Sequence, residues 1–231
     1  MLDLDVVRWL HLASIWVLPV LFAITLHEAA HGYVAWRLGD DTAYRLGRVT
    51  INPLKHIDPF GTILLPGLLI LMRQPFVFGY AKPVPVRFDR LGSPRRDSVL
   101  VAVAGPLANL ASALASALLI HGAARLPAPA ASWALSTLSV SVQLNLVLAV
   151  FNMLPLPPLD GGRVVVGLLP RSLAPWLLQL ERKGMLILIV LVLGLPALGA
   201  ALRIDLDVLR WLLRGPVDLL RTMLLTLAGL R

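Results

Sequence analysis

Four apolar runs, at residues 9–36, 99–121, 133–157 and 184–202, decide what this chain can become. A helix needs about 20 residues to cross the roughly 30 Å hydrocarbon core of a bilayer, and each run is near or above that length. Composition agrees: of 231 residues, 58% are hydrophobic and only 15% charged, where a soluble domain carries about a quarter charged. Lipid offers backbone amides and carbonyls no partners, so the spans must satisfy their own hydrogen bonds as helices. The expected fold is an all-α polytopic membrane protein with about four transmembrane helices.

A fifth run, "FGTILLPGLLILM" at 60–72, is short and interrupted by Pro66-Gly67. It reads as a re-entrant or interfacial segment, or as a fifth crossing if "RQPFVFGY" extends it. Short β-hairpin elements are expected in the 40–90 region. The tail 203–231 mixes arginines and aspartates with leucines at helical spacing, predicting amphipathic C-terminal helices, a pair broken at Gly215-Pro216, with a packing role. No repeat or low-complexity tract appears. The whole of 1–231 reads as a single integral-membrane domain with a core at 9–165 and C-terminal helices at 184–231.

The net charge of +8 lies between the apolar runs rather than in one patch, which argues for orientation signals and against nucleic acid. Residues 38–98 hold Arg45, Arg48, Lys55, Arg73, Lys82, Arg87, Arg90, Arg95 and Arg96, and 158–183 hold Arg163, Arg171, Arg182 and Lys183, whereas 122–132 hold only Arg125. If 60–72 does not cross, both basic regions share one side, the cytoplasmic one, and the N-terminus lies outside. "MLDLDVVRW" lacks the basic flank and cleavage site of a secretory signal, so the first run is read as retained. Absence of cysteine excludes disulfides and thiolate metal ligands.

Against this apolar background, "ITLHEAAHGYVAW" (24–36) places two histidines and a glutamate inside a span. Ionisable groups there cost several kcal/mol each and mark function. His27 and His31, four apart on a helix, face the same way and can grip one ion, with Glu28 beside them to move a proton. That arrangement suits a zinc hydrolase. A third ligand is needed. Glu181 sits among cations in "LERKG", outside any apolar run, and reads as solvated. His11 lies sixteen residues before His27 on the same helix, about 24 Å away, and His121 ends the second run on the far side. Asp160 remains, with His56 and Asp58 as alternatives. Pro155, Pro157 and Pro158 forbid continuation of the third helix, and Gly161 and Gly162 let the chain turn, so Asp160 projects at the depth of the histidines.

HEAAH at 27–31, AGPLAN at 104–109 and "FNMLPLPPLDGG" at 151–162, in this order across roughly 20–165, resemble the site-2 proteases, intramembrane zinc metalloproteases. The resemblance implies that His27, His31 and Asp160 bind Zn2+, that Glu28 is the general base, and that Asn152 holds substrate or the oxyanion. An amide donor at Asn152 also suits an oxyanion on chemical grounds. Asn109 reads as a bond between helices, Gly105-Pro106 as a close helix contact, and His56 as a possible aid to substrate or water. "GRVTINPLKHIDPFGTILLP" and "FGYAKPVPV" resemble the compact form of the family, without PDZ or CBS domains.

The implied function is hydrolysis of peptide bonds in transmembrane protein substrates near the cytoplasmic face of a cell membrane, by a multi-pass enzyme in the lipid bilayer whose site opens to the cytoplasm. Residues 78–88 read as an edge strand for such a substrate: Pro83 and Pro85 silence one edge, and Val84 and Val86 keep amide donors free on the other. The alternative is a transporter passing a metal ion or proton through the same histidine and aspartate cluster. A catalytically silent adaptor is a third class. Neither explains a glutamate adjoining the first histidine.

Overall fold

The computed structural model describes residues 2–65, 67–68, 81–170 and 183–230. Among them are four helices long and apolar enough to cross a membrane, starting or ending within a few residues of the runs in the sequence. The chain is a multi-pass membrane protein. The first helix, α1 (Leu2–Arg37), runs unbroken through Pro19. It stops where Gly39 takes φ 115°, a left-handed conformation that lets the Asp40 amide donate back to Ala35 O at 2.9 Å. A single turn, α2 (Thr42–Arg45), follows.

Asp40 ties this corner together. It is fully buried, and its carboxylate accepts from the Thr42 amide and hydroxyl and from the Arg87 amide at 2.6 Å. The extended segment 81–87 is thereby laid across the end of α1. Lys82 N donates to His56 O at 3.0 Å, Arg48 donates to Lys82 O at 2.6 Å, and Val84 N donates to Glu28 Oε2 at 2.7 Å. The β-hairpins expected at 40–90 are absent among the described residues. The prolines at 83 and 85 remove alternate donors, and the amides of Lys82, Val84 and Arg87 bond to α1, its corner and the His56 carbonyl rather than to a partner strand. The Val84 amide is therefore not the free edge donor that the sequence suggested. Within the 60–72 run, residues 66 and 69–72 fall outside the described residues. Its start, Pro59–Leu64, is a π-helical turn capped by Asp58, whose Oδ1 accepts from Phe60 N and Gly61 N.

Helices α3 (Pro94–Ala123) and α4 (Ala130–Asn152) pack against each other and against α1. Pro94 opens α3, where its missing amide hydrogen costs nothing, and the buried Asp97 carboxylate accepts the Ser93 amide at 2.7 Å. Lipid is as apolar as leucine, so close packing and interhelical hydrogen bonds, not hydrophobic burial, must join these helices. Small residues supply the first: Ala113 and Ala117 seat against Val142 and Leu146. Ser116 Oγ to Ser141 Oγ at 2.8 Å supplies the second.

After a proline-rich loop come α5 (Asp160–Leu168), α6 (Lys183–Leu202, with a π-helical turn at Val190–Gly194) and α7 (Val208–Leu227). Helix α7 continues straight through Pro216, so the tail is one amphipathic helix and not a pair. A proline costs a helix one hydrogen bond, and here Val217, Leu224 and Ala228 are held in the α3–α4 core while His121 Nε2 bonds the Ala228 carbonyl at 2.7 Å.

Asp40 generates a prediction. Burial raises the cost of its charge, but the Thr42 and Arg87 donors and nearby Arg90 outweigh that and hold the carboxyl below its usual range. The unfolded chain then takes up a proton first as pH falls, so the contribution is complete above roughly pH 4 and lost below it. Asp40→Ala, which strands buried donors, should lower unfolding stability in detergent by about 3 kcal/mol at neutral pH. Asp40→Asn should flatten the loss of stability below about pH 4.

Candidate active site

HEAAH lies in the last third of α1, and the helical repeat sets His27 and His31 one turn apart. Their rings meet edge to face with centroids 4.6 Å apart, and their Nε2 atoms are 3.0 Å apart. Asp160, the first residue of α5, brings Oδ2 to 3.2 Å from His27 Nε2 and 3.3 Å from His31 Nε2. His56 and Asp58, the alternatives, are elsewhere: Asp58 caps its turn, and His56 Nε2 bonds Thr50 O at 3.1 Å. Burial pushes the His56 imidazole below its usual pKa, the Thr50 carbonyl opposes that, Arg48 adds to it, and the charge of Glu28 opposes it.

Three glycines make the convergence possible. A Cβ on Gly105 of α3 would lie 2.4 Å from His31 Nε2 and 2.6 Å from His27 Cε1, so only a bare backbone fits there. On Gly161 it would meet Met153 O at 2.3 Å, and on Gly162 it would meet Pro157 N at 2.5 Å. The sequence suggested that Gly161 and Gly162 serve a sharp turn. The structure has them in ordinary helix, and what they supply is room for α5 to press its first turn against the 153–157 loop.

The outer nitrogens fix what the inner ones offer. His31 Nδ1 lies 2.7 Å from Val101 O, a carbonyl that can only accept, so Nδ1 carries the hydrogen. His27 Nδ1 lies 2.6 Å from Asn109 Oδ1, again an acceptor. In the neutral rings both Nε2 atoms are therefore bare lone pairs, aimed at each other and at a carboxylate oxygen. Asp160 Oδ2 is buried and has no hydrogen-bond partner among the described residues. Three acceptors within 3.3 Å and no hydrogen between them repel unless a cation lies among them. Tetrahedral ligands at bond lengths of about 2.0–2.2 Å sit about 3.4 Å apart, close to the spacing found. The donor set, two imidazoles and a carboxylate with the rings held from behind, fits a divalent metal.

Glu28 is half-buried on the same helix, held by the Val84 amide. Asn152, the last residue of α4, donates to Leu148 O at 3.0 Å, and that bond joins it to none of the three ligand candidates. Glu181 lies outside the described residues. Several participants were not legible as such. Gly105 was visible only as a helix contact, and the Val101 carbonyl and Val84 amide belong to the main chain and leave no residue signature. Asn145, which bonds Asn109, reads in sequence as one polar residue in an apolar helix.

Gly105→Ala should force the imidazoles apart. The expected result is at least a tenfold loss of divalent-metal affinity in a protein that still folds, measured by competition with a chromogenic chelator.

Comparison with known proteins gives a consistent result. The model of Peptidase family M50 matches residues 120–195, a stretch that contains Asp160 and lies beyond HEAAH. Over 179 residues the chain is 43% identical to "Putative zinc metalloprotease YwhC" of Bacillus subtilis (strain 168), covering 76% of this chain and 78% of that protein. Over 205 residues it is 34% identical to "Putative zinc metalloprotease Rip2" of Mycolicibacterium smegmatis, covering 84% of this chain and 73% of that one. No solved structure matches the chain. The similarity to these relatives spans most of both partners, and this chain belongs to Peptidase family M50.

Proposed function

We propose that this membrane metallopeptidase binds zinc through His27, His31 and Asp160 and cuts peptide bonds of transmembrane helices, with Glu28 as general base. The observation that carries the reading is the trio of bare acceptors, 3.0–3.3 Å apart, on the helix that also presents Glu28. Relatives named zinc metalloproteases support the choice of metal. Zinc, when held there, supplies Lewis acidity that makes water acidic and polarises a carbonyl.

The chain's own residues do the rest. Glu28, one residue from His27, accepts the proton of the attacking water and returns it to the leaving amine. The Val84 amide holds Glu28 Oε2, which fixes the carboxylate's direction. Asn152 has two amide hydrogens and uses one on Leu148 O, leaving the other to meet an oxyanion. The side chains of His27, His31 and Asp160 are only 10%, 12% and 11% exposed, which keeps bulk water from competing. With 60–72 not crossing, the basic residues at 38–98 and 158–183, against Arg125 alone at 122–132, support a site opening to the cytoplasm.

The test uses the full chain purified in detergent with a panel of transmembrane peptides. Glu28→Gln should retain zinc while cleavage falls by about 10²–10⁴-fold. Chelation should abolish cleavage, and zinc should restore it. Cleavage by Glu28→Gln at the wild-type rate would overturn the assignment. Zinc uptake into proteoliposomes without any cleavage would favour a transporter instead.

A further inference from the structure

Behind His27 a chain of hydrogen bonds runs deep into the bundle. Asn109 Oδ1 faces His27 Nδ1 at 2.6 Å, and Asn109 Nδ2 donates to Asn145 Oδ1 at 2.8 Å and to Ala23 O at 3.2 Å. Asn145 Nδ2 in turn donates to Ser141 O at 2.9 Å. Asn109 is 0% exposed and Asn145 1% exposed, so bulk water does not compete for these partners.

The chain has a direction that can be deduced. Ser141 O is a main-chain carbonyl and only accepts, so the nitrogen of Asn145 must face it. The oxygen of Asn145 then faces Asn109 and demands a donor there. Asn109 must answer with its NH2, a choice the Ala23 carbonyl reinforces, and its oxygen is left for His27. An oxygen opposite Nδ1 admits only the Nδ1–H form of the ring, which leaves Nε2 bare. A flipped Asn109 would set its oxygen against two acceptors and its NH2 against His27, and would move the lone pair to the wrong nitrogen.

We infer that Asn145, acting through Asn109, is a positioning residue that selects the tautomer of His27 and so makes its Nε2 a metal ligand. The inference rests on the metalloprotease reading above. Asn145 touches no ligand atom itself, and its effect reaches the site through amide orientation.

Zinc affinity of the full chain in detergent, by chelator competition, tests it. Asn145→Leu should weaken zinc about tenfold, the lower end for loss of an outer-shell partner. Adding Asn109→Asp to that variant should restore most of the affinity, because a carboxylate accepts with either oxygen and needs no orienting partner. A merely structural role for Asn145 predicts no such rescue. Equal affinity in wild type and Asn145→Leu, or a loss that Asn109→Asp leaves unrepaired, overturns the inference alone. Wild type that binds no zinc overturns the metalloprotease reading and this inference with it. ¹⁵N shifts of histidine-labelled, zinc-loaded wild type give a check that no variant's folding can obscure. They should show His27 protonated at Nδ1 and metallated at Nε2, and the reverse would refute the proposal.

Discussion

Two imidazole nitrogens and a carboxylate oxygen, with no hydrogen to offer one another while the rings are neutral, meet in a buried pocket between α1 and α5. Left alone they repel, and no neutral side chain lies between them to relieve it. Much of the fold serves to hold this unfavourable cluster in place. Helix α3 supplies a bare glycine that lets it approach the rings, a carbonyl that orients one and an amide that orients the other. The first turn of α5 supplies the acid, and the glycines after it admit the close contact. The energy that holds these elements together comes from packing and satisfied polar bonds, since lipid gives apolar surfaces no reason to cluster.

The long apolar runs predicted their own helices well, because in lipid length and hydropathy leave little else to consider. Charge and helical spacing made His27, His31 and Glu28 legible for the same reason: each is expensive where it stands. Asp160 was reachable by elimination and from the prolines before it, while the glycines after it, read as a turn, lie in helix and give close contact instead. What could not be read is instructive. Pro216 looked like a break, yet α7 passes through it, since Val217 and Leu224 seat in a groove formed by residues about a hundred positions earlier. The 81–87 stretch alternates like a strand, but its amides go to a glutamate, an aspartate and a carbonyl brought there by α1 and its corner. Pairing partners for an amide are a property of the assembled bundle, and local pattern does not name them.

The polar residues inside the bundle are joined to one another. Ser116 and Ser141 pair across α3 and α4, Ser116 Oγ also bonds Ser112 O, and Asn145 Nδ2 reaches Ser141 Oγ at 3.3 Å. Asn109 and Asn145 belong to a directional series that terminates on a ring nitrogen. In sequence both kinds look alike, single polar positions in apolar helices. What sets the asparagine series apart is its two ends, the acceptor-only carbonyl of Ser141 and the ring nitrogen of His27.

The hydrogen bonds that anchor the segment over Glu28 to the rest of the fold are made by its main chain: the amides of Lys82, Val84 and Arg87 and the carbonyls of Lys82 and Pro83. Replacing side chains within the segment leaves these bonds in place, so a scan by alanine would register only the packing of Val84 and Val86. The main-chain share would surface through ester-for-amide exchange in the backbone or through shifts in chain length. Ordinary mutagenesis can thus understate how constrained such a region is.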